Sequence, residues 1–255
     1  MDDNEYKSQL FTQLKNAESP AVGEYLRWLY IQVAGELRPK DKVLEIGAGA
    51  GISKLFLSDF DVLRTDLLDH GLAEVQSGVN AENLPFGVGE FDAVFAMDMI
   101  HHVPFPYKVI AEAIRTTSPN GKVILVEPYV SITSYLIYKI FHSEKTSLCI
   151  KISPEKPIVS TLASDGNQVI CQKLFFSRLG RRNLEKVLPD ETDVTRRYIS
   201  PISFFLTGGI NKPIRLNPKI IKVALAIEDK IPQAILKLIA SRQIVIIRKK
   251  SLYLI

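Results

Sequence analysis

The stretch Val43-Leu44-Glu45-Ile46-Gly47-Ala48-Gly49-Ala50-Gly51 constrains the chain more than any other. An apolar run that closes around an acid and opens into three alternating glycines predicts a buried parallel strand turning sharply into a helix. Glycine at these positions removes the side-chain wall, so a ligand can approach the main chain and the amides that begin the next helix. The spacing bears on which ligand. A dinucleotide fingerprint is G-x-G-x-x-G, whereas this stretch is E-x-G-x-G-x-G, with its third glycine one residue early and an acid two residues before the first. On these residues alone the readings are a tight turn without a ligand, a nicotinamide or flavin site, or a site for a different cofactor.

A chain of 255 residues fits one large domain, or a domain with a substantial insertion, and can bury a sizeable core. Its 46% apolar and 24% charged residues are ordinary for a globular protein, which argues against disorder. Cys149 and Cys171 lie too far apart for a C-x-x-C site and are too few for a disulfide framework, which suits a reducing compartment. The acidic N-terminus does not resemble a signal peptide, and no uninterrupted apolar run reaches spanning length. The expectation is a cytoplasmic protein, with peripheral contact at a membrane left open. The net charge of +4 is unevenly spread. Met1 to Val130 carries 11 Lys+Arg against 19 Asp+Glu, a net of −8, and Ser131 to Ile255 carries 21 against 9, a net of +12. A basic half attracts a phosphorylated substrate, an anionic membrane or nucleic acid, unless its lysines only solvate helix faces.

Asn4 to Lys15 and Pro20 to Leu37 carry apolar residues at helical spacing and are expected to pack on the sheet ahead of its first strand. After the glycine turn, Ile52 to Leu57 reads as a short helix and Phe60 to Asp66 as a second strand. Asp66 follows Glu45 by 21 residues, close to the spacing at which a doubly wound fold offers a carboxylate to both ribose hydroxyls. Asn80-Ala81-Glu82-Asn83-Leu84-Pro85-Phe86 forms a loop, Phe91 to Met97 a strand, and Pro106 to Thr117 an amphipathic helix. Ser118-Pro119-Asn120-Gly121 then turns into a strand over Lys122 to Glu127, followed by Pro128.

These four motifs, in this order, resemble those of the class I S-adenosylmethionine-dependent methyltransferases of the small-molecule type. E-x-G-x-G-x-G resembles their first motif, and Asn80 to Phe86 their D-A-x-x-L-P-F loop with Asn80 in place of the acid. Phe91 to Asp98 resembles their fourth strand, and Ser118 to Pro128 the P-G-G-x-hhh-x-E-P entry to the fifth. The resemblance covers Val43 to about Pro128. It implies an α/β fold: a Rossmann-like, doubly wound sheet of seven strands, the last antiparallel, with a helical N-terminal extension and an insertion after strand five. The corresponding organisation is 1–41 as N-terminal helices, 42–128 as the cofactor-binding half, and 129–255 as the substrate side of the same domain.

By the same resemblance the cofactor is S-adenosylmethionine. Glu45 with Gly47, Gly49 and Gly51 would hold its methionine end, Asp66 with Leu67 beside it the ribose, and Asn80 and Ala81 the adenine, while Met97 and Asp98 would floor the sulfur. The sulfonium makes the methyl electrophilic beforehand, so the protein's task is alignment, with the nucleophile about 3 Å from the methyl carbon. A hydroxyl acceptor would want a base, for which His102, His101 and His142 are the candidates; an amine or carbanion would need none. The paired histidines otherwise read as packed residues. No third ligand at metal spacing accompanies them, so no metal site is expected.

Beyond Pro128, Tyr129 to His142 reads as a helix that either walls an acceptor pocket or packs in the core. Ser143 to Asn167 has no clear period and reads as a lid or insertion. A helix over Phe175 to Leu188, a strand over Asp193 to Ile199 and a loop over Phe204 to Gly209 follow. Helices over Pro218 to Ile227 and Pro232 to Ala240 lead to a closing strand, Gln243 to Arg248. Their apolar stripe, interspersed with lysines, either faces the core or rests on anionic lipid. The acceptor this favours is a small molecule, anionic or lipid-linked, such as a glycan intermediate. Aromatic residues do not alternate with basic ones as a stacking platform requires, so RNA methylation is the lesser alternative, beside a non-catalytic cofactor-binding partner subunit.

Overall fold

The computed structural model describes residues 3–69, 71–141, 146–158, 166–189 and 192–249. Two helices open the chain, α1 (Asp3–Ala17) and α2 (Pro20–Ala34), followed by β1 (Lys42–Ile46), a 3-10 turn over Ile52–Leu55 and β2 (Asp61–Thr65). Then come β3 (Phe91–Met97), α3 (Pro106–Thr116), β4 (Thr117–Pro128) and α4 (Ile132–Phe141). The closing half contains α5 (Ile170–Phe176), α6 (Arg178–Leu184), β5 (Thr192–Ile199), α7 (Ser203–Thr207), α8 (Pro218–Glu228), α9 (Gln233–Ile239) and β6 (Arg242–Lys249).

Among the described residues the strands form one sheet in the order β2-β1-β3-β4-β6-β5. The pairs β1–β2, β1–β3 and β3–β4 are parallel, and β6 runs antiparallel to both β4 and β5. The last strand is therefore reversed, as the family pattern implies. The side-chain period of two sorts each strand between the two faces. Leu44, Val94, Leu125 and Val245 enter one core with α3, α5 and α6. Val43, Phe95, Ile124 and Ile244 enter the other with α2 and α8.

Among the described residues six strands stand where seven were expected. The place of the missing strand, outside β2, is marked by a single parallel bridge between Thr65 and Gln76. The segment is too broken to extend that pairing: Gly71 and Gly78 both have positive φ, and Glu74, Gln76 and Ser77 are exposed. Three further differences are local. The expected turn at Pro119-Asn120-Gly121 lies within β4 as an irregularity in its pairing with β3, where the register shifts between Phe91 and Ala93. The single helix expected over Phe175 to Leu188 is two, because Ser177 leaves the helix and its hydroxyl accepts from the Gly180 amide, starting α6 anew. Phe204 and Phe205 belong to α7 rather than a loop, ended by Gly208 at φ 73°.

The N-terminal helices also divide. Tyr25, Leu29 and Val33 of α2 join the core as expected. α1 instead reaches the glycine turn: a Cβ on Gly49 would lie 3.9 Å from Leu10 Cδ2. It is tied to the closing half, with Gln13 Nε2 donating to Asn211 Oδ1 at 2.9 Å and Asn16 Nδ2 to the Ile210 carbonyl at 2.7 Å.

Candidate active site

The strand order reverses between β1 and β3, the place where open α/β sheets bind ligands beyond their carboxyl ends. Gly47, Gly49 and Gly51 follow β1 there, with φ of 68°, 51° and 66°. These values favour glycine, and at Gly47 the space does too, since a Cβ would lie 2.4 Å from Met99 Cγ. Asp66, at the end of β2, braces the turn. Its Oδ2 accepts from the Gly49 amide at 2.8 Å and its Oδ1 from the Leu68 amide at 3.0 Å. The turn and the acid, read separately from the sequence, thus form one unit.

Glu45 is buried within β1. The Ser53 hydroxyl donates to its Oε2, Arg64 Nε lies 3.8 Å from the same oxygen, and Arg64 Nε also donates to Ser53 Oγ at 2.7 Å. Burial pushes the Glu45 carboxyl up to about 7, against the pull of Ser53 and Arg64. The acid therefore anchors the first turn after the glycines from within. Leu67 is exposed beside Asp66. Asn80 Oδ1 accepts from the Glu82 amide at 2.9 Å, shaping its own loop, and Ala81 packs against the core under that loop.

At the end of β3, Met97 is half-buried and Asp98 takes φ 52°, with its amide donating to the Val126 carbonyl. Asp98 Oδ1 receives Arg242 Nη2 at 2.6 Å. Arg242 begins β6 and is 3% exposed, whereas the Asp98 side chain is 43% exposed. Burial is the largest influence and acts against the guanidinium charge, but Asp98 together with Tyr25 and Tyr138 outweighs it and raises the Arg242 pKa, so the cation persists. Around this pair stand Tyr25, Tyr138, Phe204 and Phe205. The Arg242 guanidinium lies 5.3 Å from the Phe204 ring centre, Tyr25 is 5.9 Å from Phe204, and Tyr138 is 5.5 Å from Phe205. Burial lifts the Tyr25 hydroxyl to about 12, and burial likewise raises Tyr138.

The three histidines separate. His101 is 2% exposed, with Nδ1 2.6 Å from Glu127 Oε2, and Glu127 Oε1 accepts the Met99 and Ile100 amides. This buried pair fixes the loop after β3 and gives the His101 ring no open face toward an acceptor. His102 is half-buried, its ring 4.1 Å from that of His101 and close enough to Gly166 that a Cβ there would lie 2.6 Å away. His142 lies outside the described residues. No group of three His, Cys, Asp or Glu suited to a metal occurs among the described residues.

Sequence reasoning left Arg242, Glu127 and Leu10 without a role. Glu127 stood in a quoted motif, and an arginine opening an otherwise apolar strand was the available signal for Arg242. For Leu10 no local signal existed.

A profile described as a methyltransferase domain matches residues 44–125. Those residues are a class I S-adenosylmethionine-dependent methyltransferase domain. Its cofactor is S-adenosylmethionine. The chain is 31% identical over 122 residues to a demethylmenaquinone methyltransferase of Renibacterium salmoninarum, covering 42% of this chain and 50% of that protein. It is 32% identical over 127 residues to a ubiquinone biosynthesis O-methyltransferase of Methylococcus capsulatus, covering 44% and 53%. The matches thus span about half the length of these relatives. In fold, the chain is similar to a SAM-dependent methyltransferase of Archaeoglobus fulgidus, with a TM-score of 0.52 and 14% identity over 89% of this chain and 94% of that one.

Proposed function

We propose that the chain transfers a methyl group from S-adenosylmethionine to a small acceptor that is anionic or lipid-linked, working peripherally at an anionic membrane. The observation that carries the cofactor half is the bracing of the left-handed glycine turn by Asp66 at the point where strand order reverses. When bound, the cofactor supplies an electrophilic methyl on a sulfonium. The chain's residues supply its placement. The glycine turn offers bare main chain to the methionine end, and Asp66, at the end of β2 beside that turn, is the carboxylate that would meet the ribose hydroxyls. Leu67 would lie beside Asp66 at the ribose, Asn80 and Ala81 would border the adenine, and Met97 and Asp98 would lie beneath the sulfur.

The acceptor side is supported by the group at the head of β6. Half-buried Phe204 and Phe205, near the part-exposed Asp98 that Arg242 holds, offer ring faces that suit a flat molecule rather than a polypeptide. The two relatives above are named for demethylmenaquinone and for ubiquinone biosynthesis, which favours a ring carried on a lipid tail over a glycan intermediate. If the acceptor is a hydroxyl, His102 is the candidate base among the described histidines.

Calorimetric titration with S-adenosylmethionine, its demethylated product and NADH, repeated on Asp66→Ala, tests the cofactor half. Binding of the first two, weakened about tenfold or more by the variant, is expected from the loss of both ribose contacts and the turn's brace. Binding of NADH alone would overturn the reading. Turnover with quinol-type acceptors of short and long tail then tests the acceptor, and activity indifferent to the tail would remove the lipid-linked part.

A further inference from the structure

The helices that flank the carboxyl ends of the sheet present apolar residues outward. α4 leaves the end of β4, α9 enters the start of β6, and the two are joined where Thr133 Oγ1 donates to the Ile239 carbonyl at 2.9 Å. Register places Pro128, Arg242 and Ile199 side by side, so this helix pair sits at the same end of the sheet as the glycine turn and the Asp98–Arg242 pair. The inner side of α4 is committed: Ser134 and Tyr138 are buried, and the Tyr138 hydroxyl donates to the Ser241 carbonyl at 2.6 Å. Its outer side shows Ile132, Leu136 and Ile140, 59% to 72% exposed, at the i, i+4, i+8 spacing of one helical stripe. α9 adds Ile235 and Leu238, both about half exposed, while Leu236 points inward. α8, joined to α9 through residues 229–232, repeats the pattern with Ile220, Val223 and Ile227 outside and Ile221 and Leu225 inside.

On α4 and α9 the exposed charges have one sign. Lys139 on α4 and Lys237 on α9 are exposed, and neither helix contains an acid. On α8, Lys219 and Lys222 are exposed, and Lys222 lies 3.4 Å from Glu24 of α2. Glu228 is buried and committed to Ser203 and the Ile202 amide, and exposed Asp229 just after the helix accepts from Trp28 Nε1, so the apolar stripe continues there with mixed charge. Two copies of the α4 and α9 face meeting about a two-fold axis would bring lysines against lysines. An anionic bilayer would instead accept the apolar stripe below its headgroups and the ammonium groups at their level.

We infer that the outer face of α4 and α9, continued by α8, docks on an anionic lipid surface and brings the acceptor mouth to the bilayer, so that a lipid-linked acceptor is reached without leaving the membrane. The docking rests on the surface itself; only the acceptor's route rests on the function proposed above. No helix among the described residues is long and apolar enough to cross a membrane, so the contact is interfacial.

Flotation of the full chain with vesicles of phosphatidylcholine alone, and with vesicles also containing phosphatidylglycerol, tests the inference. Selective capture by the second, released by added salt, is expected. Two double variants at exposed positions, Ile132→Glu with Leu136→Glu and Lys139→Glu with Lys237→Glu, should each lower capture by about tenfold or more. Their binding of S-adenosylhomocysteine should be unchanged by calorimetry, which shows that they remain folded. Capture by neither vesicle or equally by both, or a dimer that the first double variant splits without any vesicle capture, overturns the docking. Capture without S-adenosylhomocysteine binding overturns the methyltransferase reading and leaves the docking standing.

Discussion

The two sides of the sheet hold their charged groups by different means. Before Pro128, two carboxylates are fixed by main-chain amides: Asp66 takes Leu68 from two residues away and Gly49 from 17, and Glu127 takes Ile100 and Met99 from 27 and 28. Beyond Pro128, two buried or half-buried arginines are held by side chains. Arg242 meets Asp98 across 144 residues, and Arg196 lies 3.1 Å from the Phe176 ring centre and 4.5 Å from that of Tyr198. A carboxylate held by nearby backbone depends on local dihedrals, so backbone changes should damage it most. A cation held by distant faces depends on the assembled core, so damage should follow which partner is left buried.

The largest expected effect is therefore a backbone one. Gly47→Ala places a Cβ 2.4 Å from Met99 Cγ on a backbone at φ 68°. Left-handed strain of about 1–2 kcal/mol and overpacking of about 1–3 kcal/mol together give a loss of about 4 kcal/mol. Denaturant unfolding measures it, and calorimetry should show cofactor affinity falling with it. An alanine variant of unchanged stability would mean that the turn is not held as described.

The second effect sharpens the other side of the comparison. Asp98→Asn leaves Arg242 charged and buried, for which about 3 kcal/mol is expected. Arg242→Met leaves Asp98, which water already reaches, and should cost about 1 kcal/mol after the lost packing on Phe204 is included. The asymmetry is the test. If the arginine variant unfolds at lower denaturant than the asparagine variant, the exposed partner carries the pair and the comparison fails.

The same difference explains how far the sequence could be read. The glycine turn, Asp66 and the ends of β1, β2 and β3 were visible because each is written in adjacent residues, as apolar period or positive-φ spacing. The absent seventh strand was hidden because family order implied it, while the local residues around Gly71 and Gly78 could not sustain a ladder. Asp98 was expected beneath the cofactor on resemblance, but its bond to Arg242 spans 144 residues and leaves no local pattern. Leu10 is the extreme case: nothing in α1 indicates that it will meet Gly49, because the contact depends on how Asn211 and Ile210 receive the helix.

The smallest effect concerns Glu45, a buried carboxylate that departs from the pattern of Asp66 and Glu127. Glu45 has no main-chain donor on its carboxylate oxygens comparable to those of Asp66 and Glu127; it is held by the Ser53 hydroxyl with Arg64 3.8 Å away. Burial lifts its pKa from an ordinary 4.5 to about 7, so between those values the folded chain holds a proton that the unfolded chain has released. Stability from this group is therefore greatest below about pH 4.5 and declines as pH rises toward 7. Once some relaxation toward water is allowed, the decline is on the order of 2 kcal/mol. Glu45→Gln removes the titration while keeping a hydrogen-bonding oxygen for Ser53. Unfolding measured at a series of pH values should thus show the wild type losing more stability than Glu45→Gln between pH 5 and 7. Parallel curves would show that Glu45 is ionised throughout and that Arg64 holds it as firmly as backbone amides hold Asp66.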